Sequence, residues 1–207
     1  MTRLLVASRN RKKLAELHRV LAAAELSGGA AGLTLMSLDE VAPFEETPET
    51  GAAFEDNALV KARAGFIATG LPTVADDSGL AVDALHGMPG VLSARWSGRH
   101  GDDAGNLALL LAQLSDVPDD RRGAAFVSAC ALVSGSGEVV VRGVWRGAIT
   151  REPHGEQGFG YDPVFVPDGC DRTAAQLSPA AKDAMSHRGR ALALLLPALR
   201  ELATGSL

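Results

Sequence analysis

Short apolar runs alternate with helical patterns along the first half of the chain. An apolar run at 4–7 predicts a buried strand, and leucines then recur at helical spacing over 10–24. Asn10 is a residue type that caps helices, so the helix is predicted to begin there. A second strand is predicted over 33–38 and a second helix over 51–69. This order of strands and helices predicts an α/β fold.

The second half begins with strand patterns of a different kind. Apolar and β-branched residues fill 124–133 and 139–145, and Ser and Gly occupy 134–137 between them. Two strands with such a connection predict a β-hairpin. A shorter signal at 147–150 continues the β region. A hairpin after α/β units predicts a mixed sheet rather than a purely parallel one.

Helices are predicted in three further places. Asp102 is suited to cap a helix whose leucines follow at helical spacing. Ser178 and Pro179 form a cap and first-turn proline for another helix. The stretch 186–189 interrupts that pattern, and a final leucine-rich helix follows it.

The most informative stretch is 73–82, where Asp76 and Asp77 stand between short apolar runs. We predict a strand, an acidic turn and a second strand here. Two interpretations are open. Asp, Ser and Gly are ordinary turn residues, so the carboxylates are solvated in one interpretation. In the other they recruit a cation, because unpaired buried carboxylates are costly and Mg²⁺ takes one or two carboxylate ligands from protein.

A cluster of basic residues lies at the start of the first helix. Arg9, Arg11, Lys12 and Lys13 surround its first turn, where cations oppose the helix dipole. A bound polyphosphate would reverse the sign of that interaction, because helix N-termini bind anions. A solvated basic surface is the alternative, and the two interpretations are equally compatible with this stretch.

The second predicted helix follows an acidic segment at 43–50. That segment either keeps the chain soluble or supplies a metal ligand. Within the helix, Lys61 and Arg63 are expected to pair with Glu55 or Asp56 on the surface.

A glycine-rich loop at 155–163 carries two of the few aromatic residues of the chain, Phe159 and Tyr161. Glycine lets the backbone approach a flat ligand, and an aromatic ring stacks on a base. The loop therefore predicts a base-binding site. Near the C-terminus, Lys182 and His187 form a basic cluster for which the sequence shows no acidic partner nearby.

Composition restricts the classes of protein that the chain can represent. It has 207 residues, 46% of them hydrophobic and 22% charged, which is typical of one folded domain. The net charge of −5 argues against a dedicated nucleic-acid binder. No apolar run is long enough to span a membrane, and the start is too short for a secretory signal. Two distant cysteines, Cys130 in an apolar run and Cys170, favour a reduced cytoplasmic setting.

Five motifs occur together in one order: Ser8-Arg9-Asn10-Arg11-Lys12-Lys13, Glu49-Thr50-Gly51, Ala75-Asp76-Asp77-Ser78-Gly79-Leu80, Gly158-Phe159-Gly160-Tyr161-Asp162-Pro163 and Ser186-His187-Arg188-Gly189. In this order and spacing the chain closely resembles the noncanonical purine nucleoside triphosphate pyrophosphatases, the inosine/xanthosine triphosphate pyrophosphatase family called Ham1-like or RdgB-like. The resemblance covers nearly the whole length, so 1–207 is expected to be one such domain.

The resemblance implies a mixed α/β fold with an elongated central sheet flanked by helices, and two lobes with the active cleft between them. It implies a homodimer that uses Mg²⁺ to split ITP, dITP or XTP into the monophosphate and pyrophosphate. Such an enzyme removes deaminated purines from the nucleotide pool.

Matched motif by motif, the resemblance also implies residue roles. Asp77 is implied as the catalytic carboxylate and, with Glu49, as a metal ligand. Substrate-binding roles are implied for Ser8, Arg9, Asn10, Arg11, Lys12, Lys13, Lys61, Ser78, Phe159, Gly160, Tyr161, Asp162, Lys182, His187 and Arg188. Arg95 is a weaker candidate for a phosphate contact.

The mechanism expected from these residues is in-line attack of water on the α-phosphorus, with Asp77 or its neighbour Asp76 taking the proton. Donors in the base pocket would pair with O6 of the purine, which adenine lacks. Two other functions remain open. A Maf-like pyrophosphatase would favour modified pyrimidines, and a nucleotide-sensing protein would bind without turnover. The chain has no Gly-x-x-x-x-Gly-Lys-Ser/Thr stretch, which argues against a P-loop ATPase.

Overall fold

The computed structural model describes residues 2–26, 32–45 and 47–205, and the side chains of Arg11 and Lys12 lie outside this description. The strands are β1 (Thr2–Val6), β2 (Leu33–Met36), β3 (Thr73–Val82), β4 (Gly123–Ser134), β5 (Gly137–Ile149) and β6 (Phe165–Pro167). The helices are α1 (Arg11–Ala23), α2 (Phe54–Thr69), α3 (Asp103–Gln113), α4 (Pro179–Met185) and α5 (His187–Thr204). Short 3₁₀ turns occur between several of these elements.

The strands form one six-stranded sheet in the order β2-β1-β3-β4-β5-β6. Strand β1 is parallel to both β2 and β3, whereas β5 and β6 are antiparallel. Strands β4 and β5 are neighbours joined by a two-residue turn, which makes them the predicted hairpin. The prediction of a mixed α/β sheet flanked by helices is confirmed.

The chain divides into two compact units. Unit 1 contains Met1–Asp77, Ser128–Gly143 and Arg188–Leu207, and unit 2 contains Ser78–Val127 and Val144–His187. Each unit has its own hydrophobic core.

In unit 1, helices cover both faces of the sheet. Leu4 and Val6 of β1 pack in one cluster with leucines of α1 and α5. Leu5, which points to the opposite face because side chains alternate along a strand, lies against Gly65 of α2. A Cβ on Gly65 would approach Leu5 to 3.1 Å, so glycine allows α2 to pack closely. Cys130 belongs to the first cluster and is 1% exposed, as predicted for a core residue.

The core of unit 2 is built on the C-terminal ends of β3 and β5 and the N-terminal end of β4, together with β6 and α3. Phe126, Trp145 and Phe165 form an aromatic cluster within it. Leu110 of α3 and Leu114, which directly follows that helix, complete the packing. Asp102 caps α3 by accepting a hydrogen bond from the N–H of Gly105 at 3.0 Å. The cap predicted from the sequence is therefore confirmed.

The structure differs from the sequence predictions at several elements, and three of these bear on the candidate residues. The acidic turn predicted inside 73–82 is wrong, because β3 runs without interruption through both aspartates. Helix α2 begins at Phe54 rather than Gly51, since side chains inside the helix accept hydrogen bonds from the preceding N–H groups of Gly51 and Ala53. Helix α5 begins at His187, because only the extended Ser186 separates it from α4. Among the described residues, no helix combines the length and apolar character needed to cross a membrane.

Candidate active site

The turn between β1 and α1 has the predicted helix N-terminus. Asn10 caps α1, and its Oδ1 accepts a hydrogen bond from the N–H of Lys13 at 3.3 Å. The N–H of Asn10 in turn donates to Oγ of Ser8 at 3.3 Å. The backbone N–H groups at the start of α1 and the basic side chain of Arg9 thus belong to one short turn. Arg11 and Lys12 begin the helix, but their side chains lie outside the described part of the structure.

Asp76 lies on the sheet face that α1 and α5 cover. Its Oδ2 is 2.9 Å from Nζ of Lys13 and 3.3 Å from Nε of Arg188. Arg188 is 5% exposed and also donates from Nη1 to Oε2 of Glu16 at 2.5 Å. Two carboxylates and two cations therefore form one network in unit 1, in which Arg188 is buried and the other three side chains are partly buried. Burial alone would raise the pKa of Asp76, but the positive charges of Lys13 and Arg188 outweigh it and hold that pKa well below its usual range.

Asp77, the next residue, faces the opposite side of the sheet, where α2 packs. The amide Nδ2 of Asn57 donates to its Oδ2 at 2.9 Å. Nζ of Lys61 lies 3.8 Å from the other oxygen, Oδ1, and 2.6 Å from Oε1 of Glu49. Asp77 is 7% exposed. Burial raises its pKa, and the ammonium of Lys61 and the hydrogen bond from Asn57 offset this only in part.

These contacts change the predicted ion pairs of α2. Lys61 pairs with Glu49, and Arg63 pairs with Glu138 of β5 at 2.7 Å, so the expected pairing with Glu55 or Asp56 along the helix is wrong. Glu55 instead accepts a bond from Arg142 at 2.9 Å. Because α2 lies across the sheet, partners from other elements are closer to these cations than residues one turn away.

The carboxylates around Asp77 are of the ligand type that a hard divalent cation needs. Among the described residues, no group of three or more His, Cys, Asp or Glu side chains could hold a metal ion by itself. Asp77 and Glu49 supply two carboxylates on either side of the Lys61 ammonium. Mg²⁺ is usually bound by one or two carboxylates together with substrate phosphates and water. The set therefore fits Mg²⁺ that arrives with a phosphate ligand, and it does not fit a closed site made of protein alone.

The glycine-rich loop of unit 2 is organised by Asp162. Its Oδ2 accepts hydrogen bonds from the N–H of Phe159 at 2.8 Å and from Nζ of Lys182 at 2.5 Å. Gly158 has a φ of +82°, and a Cβ there would collide with the Asp162 carboxylate. Nζ of Lys182 lies 5.2 Å from the centroid of the Phe159 ring, within the range of a cation–π contact. Lys182 thus has an acidic partner, contrary to the sequence interpretation.

The other loop residues differ in exposure. The Tyr161 side chain is buried in the core of unit 2, and its hydroxyl donates to the carbonyl of Ser93 at 2.8 Å. The N–H of Gly160 donates to Oδ2 of Asp103 at 2.9 Å, near the start of α3. The loop therefore offers the ring of Phe159, while Tyr161 anchors it.

Three further candidates lie in unit 2. His187 is the first residue of α5, is 6% exposed and stacks on Phe126. Arg95 is the last residue of a 3₁₀ helix, Gly90–Arg95. Ser78 follows Asp77 directly in β3 and is half-buried.

Sequence reasoning missed three contributors to these groups: Glu16, Asn57 and Phe126. Asn57 is 1% exposed at the buried side of α2, and a polar residue among the apolar positions of a helix was the available signal. Glu16 occupies an ordinary position of α1, and its partner Arg188 is 172 residues away, so no local signal marks it. Phe126 reads as plain strand core.

The chain matches known proteins over nearly its whole length. Residues 4–198 match the model of the Ham1 family. The dITP/XTP pyrophosphatase of Mycobacterium bovis is 78% identical over 205 residues, which cover 99% of this chain and 98% of that protein. The dITP/XTP pyrophosphatase of Nocardia farcinica is 72% identical, over 98% of this chain and 97% of that protein.

Solved structures extend the similarity to the fold. The nucleoside-triphosphatase or dITP/XTP pyrophosphatase of Mycobacterium abscessus superposes with a TM-score of 0.78 at 69% identity, covering 96% of this chain and all of that one. A HAM1 protein from Coxiella burnetii superposes with a TM-score of 0.86 at 40% identity, covering 97% of this chain and all of that one. With matched motifs, sequence and fold, the chain belongs to the Ham1 family.

Proposed function

We propose that this chain hydrolyses noncanonical purine nucleoside triphosphates, namely dITP, XTP and ITP, between the α- and β-phosphates. The products are the nucleoside monophosphate and pyrophosphate. The relatives named above as dITP/XTP pyrophosphatases support the substrate class. The observation that carries the proposal is the group around Asp77: a buried carboxylate with a raised pKa beside a second carboxylate and a lysine.

The carboxylate chemistry follows from that group. Asp77 accepts the proton of the attacking water, and in the chain without metal burial raises the pKa of this carboxyl. The Asn57 amide donates to one of its oxygens and so fixes the orientation of the carboxylate. Asp76 is a poor candidate for this step, because Lys13 and Arg188 stabilise its ionised form. We therefore assign the proton transfer to Asp77.

Mg²⁺ is the proposed cofactor, and Glu49 and Asp77 would hold it. When bound, the ion neutralises phosphate charge and polarises the phosphorus that water attacks. Lys61 stands between the two carboxylates, close enough to shift from Glu49 to a phosphate oxygen. At that position its charge stabilises the triphosphate as negative charge develops.

The phosphate chain is proposed to bind at the start of α1. Backbone N–H groups at a helix N-terminus bind anions, and the turn carries Ser8, Arg9, Asn10, Arg11, Lys12 and Lys13. Contact with phosphate would relieve the repulsion between these cations and the helix dipole. Ser78 is proposed as a further substrate contact beside Asp77.

The base is proposed to bind through unit 2. The Phe159 ring provides a stacking face, held in place by the bonds of Asp162 to the Phe159 N–H and to Lys182. His187 is proposed to donate a hydrogen bond to the purine edge. Arg188, which bonds Asp76 and Glu16 in unit 1, stays a predicted substrate contact. A keto oxygen at position 6 accepts such bonds, whereas the amino group of adenine would leave the donors unsatisfied.

Pyrophosphate release tests the proposal directly. The purified chain is incubated with dITP, XTP, ITP, GTP, ATP and a modified pyrimidine triphosphate, with Mg²⁺ and with a chelator. We expect release from the first three with Mg²⁺ present and far less from ATP. Preference for the pyrimidine would indicate Maf-like activity, and tight binding without release would indicate a sensing protein; either result contradicts the proposal.

Asp77→Asn is the matching variant. We expect it to lose turnover by several orders of magnitude while it still binds dITP, because the side chain keeps its size and an acceptor for Asn57. Turnover close to that of the wild type would exclude Asp77 as the base.

The proposal extends to a homodimer, as the resemblance to the family implies. Light scattering after size-exclusion chromatography should give twice the mass of the 21.4 kDa chain. A monomeric mass with full activity would contradict the dimer.

A further inference from the structure

The imidazole of His187 lies flat on an aromatic surface inside unit 2. Its ring centroid is 4.9 Å from that of Phe126 with only 13° between the planes, and 6.4 Å from that of Trp145 at 17°. Phe126 and Trp145 are themselves 6.4 Å apart and inclined by 28°. Three nearly parallel rings therefore surround the point where α5 begins.

This surface is built by neighbouring strands of the sheet. Phe126 belongs to β4, Trp145 to β5 and Phe165 to β6, which are adjacent in that order. Phe165 packs edge-on against both of the other rings, with centroids 4.8 and 5.3 Å away. The chain has only nine aromatic residues, six Phe, two Trp and one Tyr. Concentrating three of them beneath one histidine is a large share of that supply.

Packing alone does not account for a histidine at this position. Burying a polar ring against apolar groups costs free energy, so an apolar side chain would fill the same space at lower cost. The imidazole adds an N–H donor and a ring nitrogen acceptor, and these lie in the plane of the ring. Parallel stacking fixes that plane, because tilting the imidazole would require the buried rings to move. The direction of its N–H is therefore set by Phe126 and Trp145.

We infer that Phe126, supported by Trp145, is a positioning residue that fixes the His187 ring plane for selection of the purine base. The inference rests on the proposed function, in which His187 donates to the purine edge. A donor held in a fixed plane bonds a keto oxygen at position 6 and is left unsatisfied by an amino group. A donor that is free to rotate discriminates less between the two bases. Phe126 acts through the imidazole and needs no contact with substrate.

Phe126→Leu tests this role because it keeps apolar volume and removes the flat ring. Aromatic pairs contribute on the order of 0.5–1.5 kcal/mol beyond burial, equivalent to about two- to tenfold in rate. We expect kcat/KM for dITP to fall about two- to tenfold and the ratio of dITP to dATP turnover to narrow by the same factor. The loss should appear mainly in KM, because Asp77 and its partners in unit 1 are unchanged.

Phe165→Leu is the matched control. It removes a fully buried ring of the same cluster, but neither of the two rings parallel to the imidazole. We expect it to lower the melting temperature and to leave the dITP to dATP ratio unchanged. Equal narrowing by both variants would show a general packing effect and would overturn the inference. If Phe126→Leu does not fold, Trp145→Leu removes the second parallel ring and should narrow the ratio to a smaller extent.

Two further measurements separate positioning from stability. In the His187→Ala background, Phe126→Leu should cause no additional narrowing; an additional effect of full size would refute action through the imidazole. In NMR spectra, the His187 ring protons of the wild type should be shifted upfield by the facing rings and should move back in Phe126→Leu. Absence of that change contradicts the stacking itself.

Pyrophosphate release by the wild type distinguishes failure of the positioning role from failure of the proposed function. If it releases pyrophosphate from dITP but Phe126→Leu keeps the full base ratio, only the positioning role fails. If the wild type shows no release with Mg²⁺, the proposed function fails and the inference falls with it.

Discussion

Substituting the two neighbouring aspartates of β3 by asparagine should have different effects on the free energy of unfolding. Asp76 balances the positive charges of the buried Arg188 and the partly buried Lys13. Asp76→Asn therefore leaves Lys13 without its carboxylate and Arg188 with Glu16 alone. Removing one partner of a buried ion pair costs about 3–5 kcal/mol. We therefore expect Asp76→Asn to lower the free energy of unfolding at pH 7 by about that amount.

Asp77→Asn should not lower stability at the same pH. Burial raises the pKa of Asp77, which means that the fold disfavours the ionised carboxylate relative to the unfolded chain. The amide variant carries no charge, and it retains an oxygen that can accept the bond from Asn57. We expect its free energy of unfolding to equal or exceed that of the wild type, as for residues kept for activity at the expense of stability.

Urea denaturation of the wild type and both variants at several pH values is the assay. The pKa of Asp76 is depressed, so its contribution is fully present above about pH 4, the value of an unperturbed aspartate, and is lost as the pH falls towards the folded pKa. The difference between wild type and Asp76→Asn should therefore shrink below about pH 4. For Asp77 the sign is opposite, since the wild type loses relative stability as the pH rises through the carboxyl range.

The exposed pair between Glu138 and Arg63 provides a control, because Glu138→Gln should cause only a small loss. The reasoning would be refuted if Asp76→Asn lost no more than this control. It would also be refuted if Asp77→Asn were as unstable as Asp76→Asn, because the two carboxylates would then not differ in environment.

Three other outcomes are expected. Arg122→Met should lower the free energy of unfolding by about 3 kcal/mol, because the buried guanidinium donates to the carbonyls of Leu114, Ile149 and Thr150, which would lose their partner. Thermal unfolding measures this loss, and a loss below about 1 kcal/mol would contradict the role of these three hydrogen bonds. Gly79→Ala should lower the melting temperature by several degrees, because its Cβ would meet the Gly90 carbonyl oxygen; an unchanged value would refute the close approach. In an NMR titration of the chain without Mg²⁺, the carboxyl of Asp77 should have its midpoint above 3.8, its ordinary pKa, and a midpoint at or below that value would contradict the raised pKa.

Much of the fold follows from local signals. The caps at Asn10, Asp102 and Ser178 lie where the sequence predicts them, because each satisfies N–H groups within its own first turn. The hairpin of β4 and β5 follows equally from two β-branched runs around a short polar turn. These elements depend on residues no more than a few positions apart.

The interruption of β3 could not be predicted correctly for the same reason. Asp76, Asp77, Ser78 and Gly79 have turn propensity, but the strand lies between β1 and β4 in the sheet. Pairing with neighbours on both sides outweighs the local preference. Arg188 is one of the cations that make the carboxylates tolerable there. It lies 112 residues from Asp76 along the chain.

The division of labour between the two aspartates follows from the period of a strand. Successive side chains point to opposite faces, so an Asp-Asp pair in a turn could share one cation, whereas the same pair in a strand cannot. Asp76 meets Lys13 and Arg188 on the face of α1 and α5, and Asp77 meets Asn57 and Lys61 on the face of α2. One carboxylate is thereby held ionised as part of the scaffold, and the other is left with the perturbed pKa that proton transfer requires. The proposed assignment of proton transfer to Asp77 rather than Asp76, a choice that the sequence leaves open, thus depends on the continuity of β3.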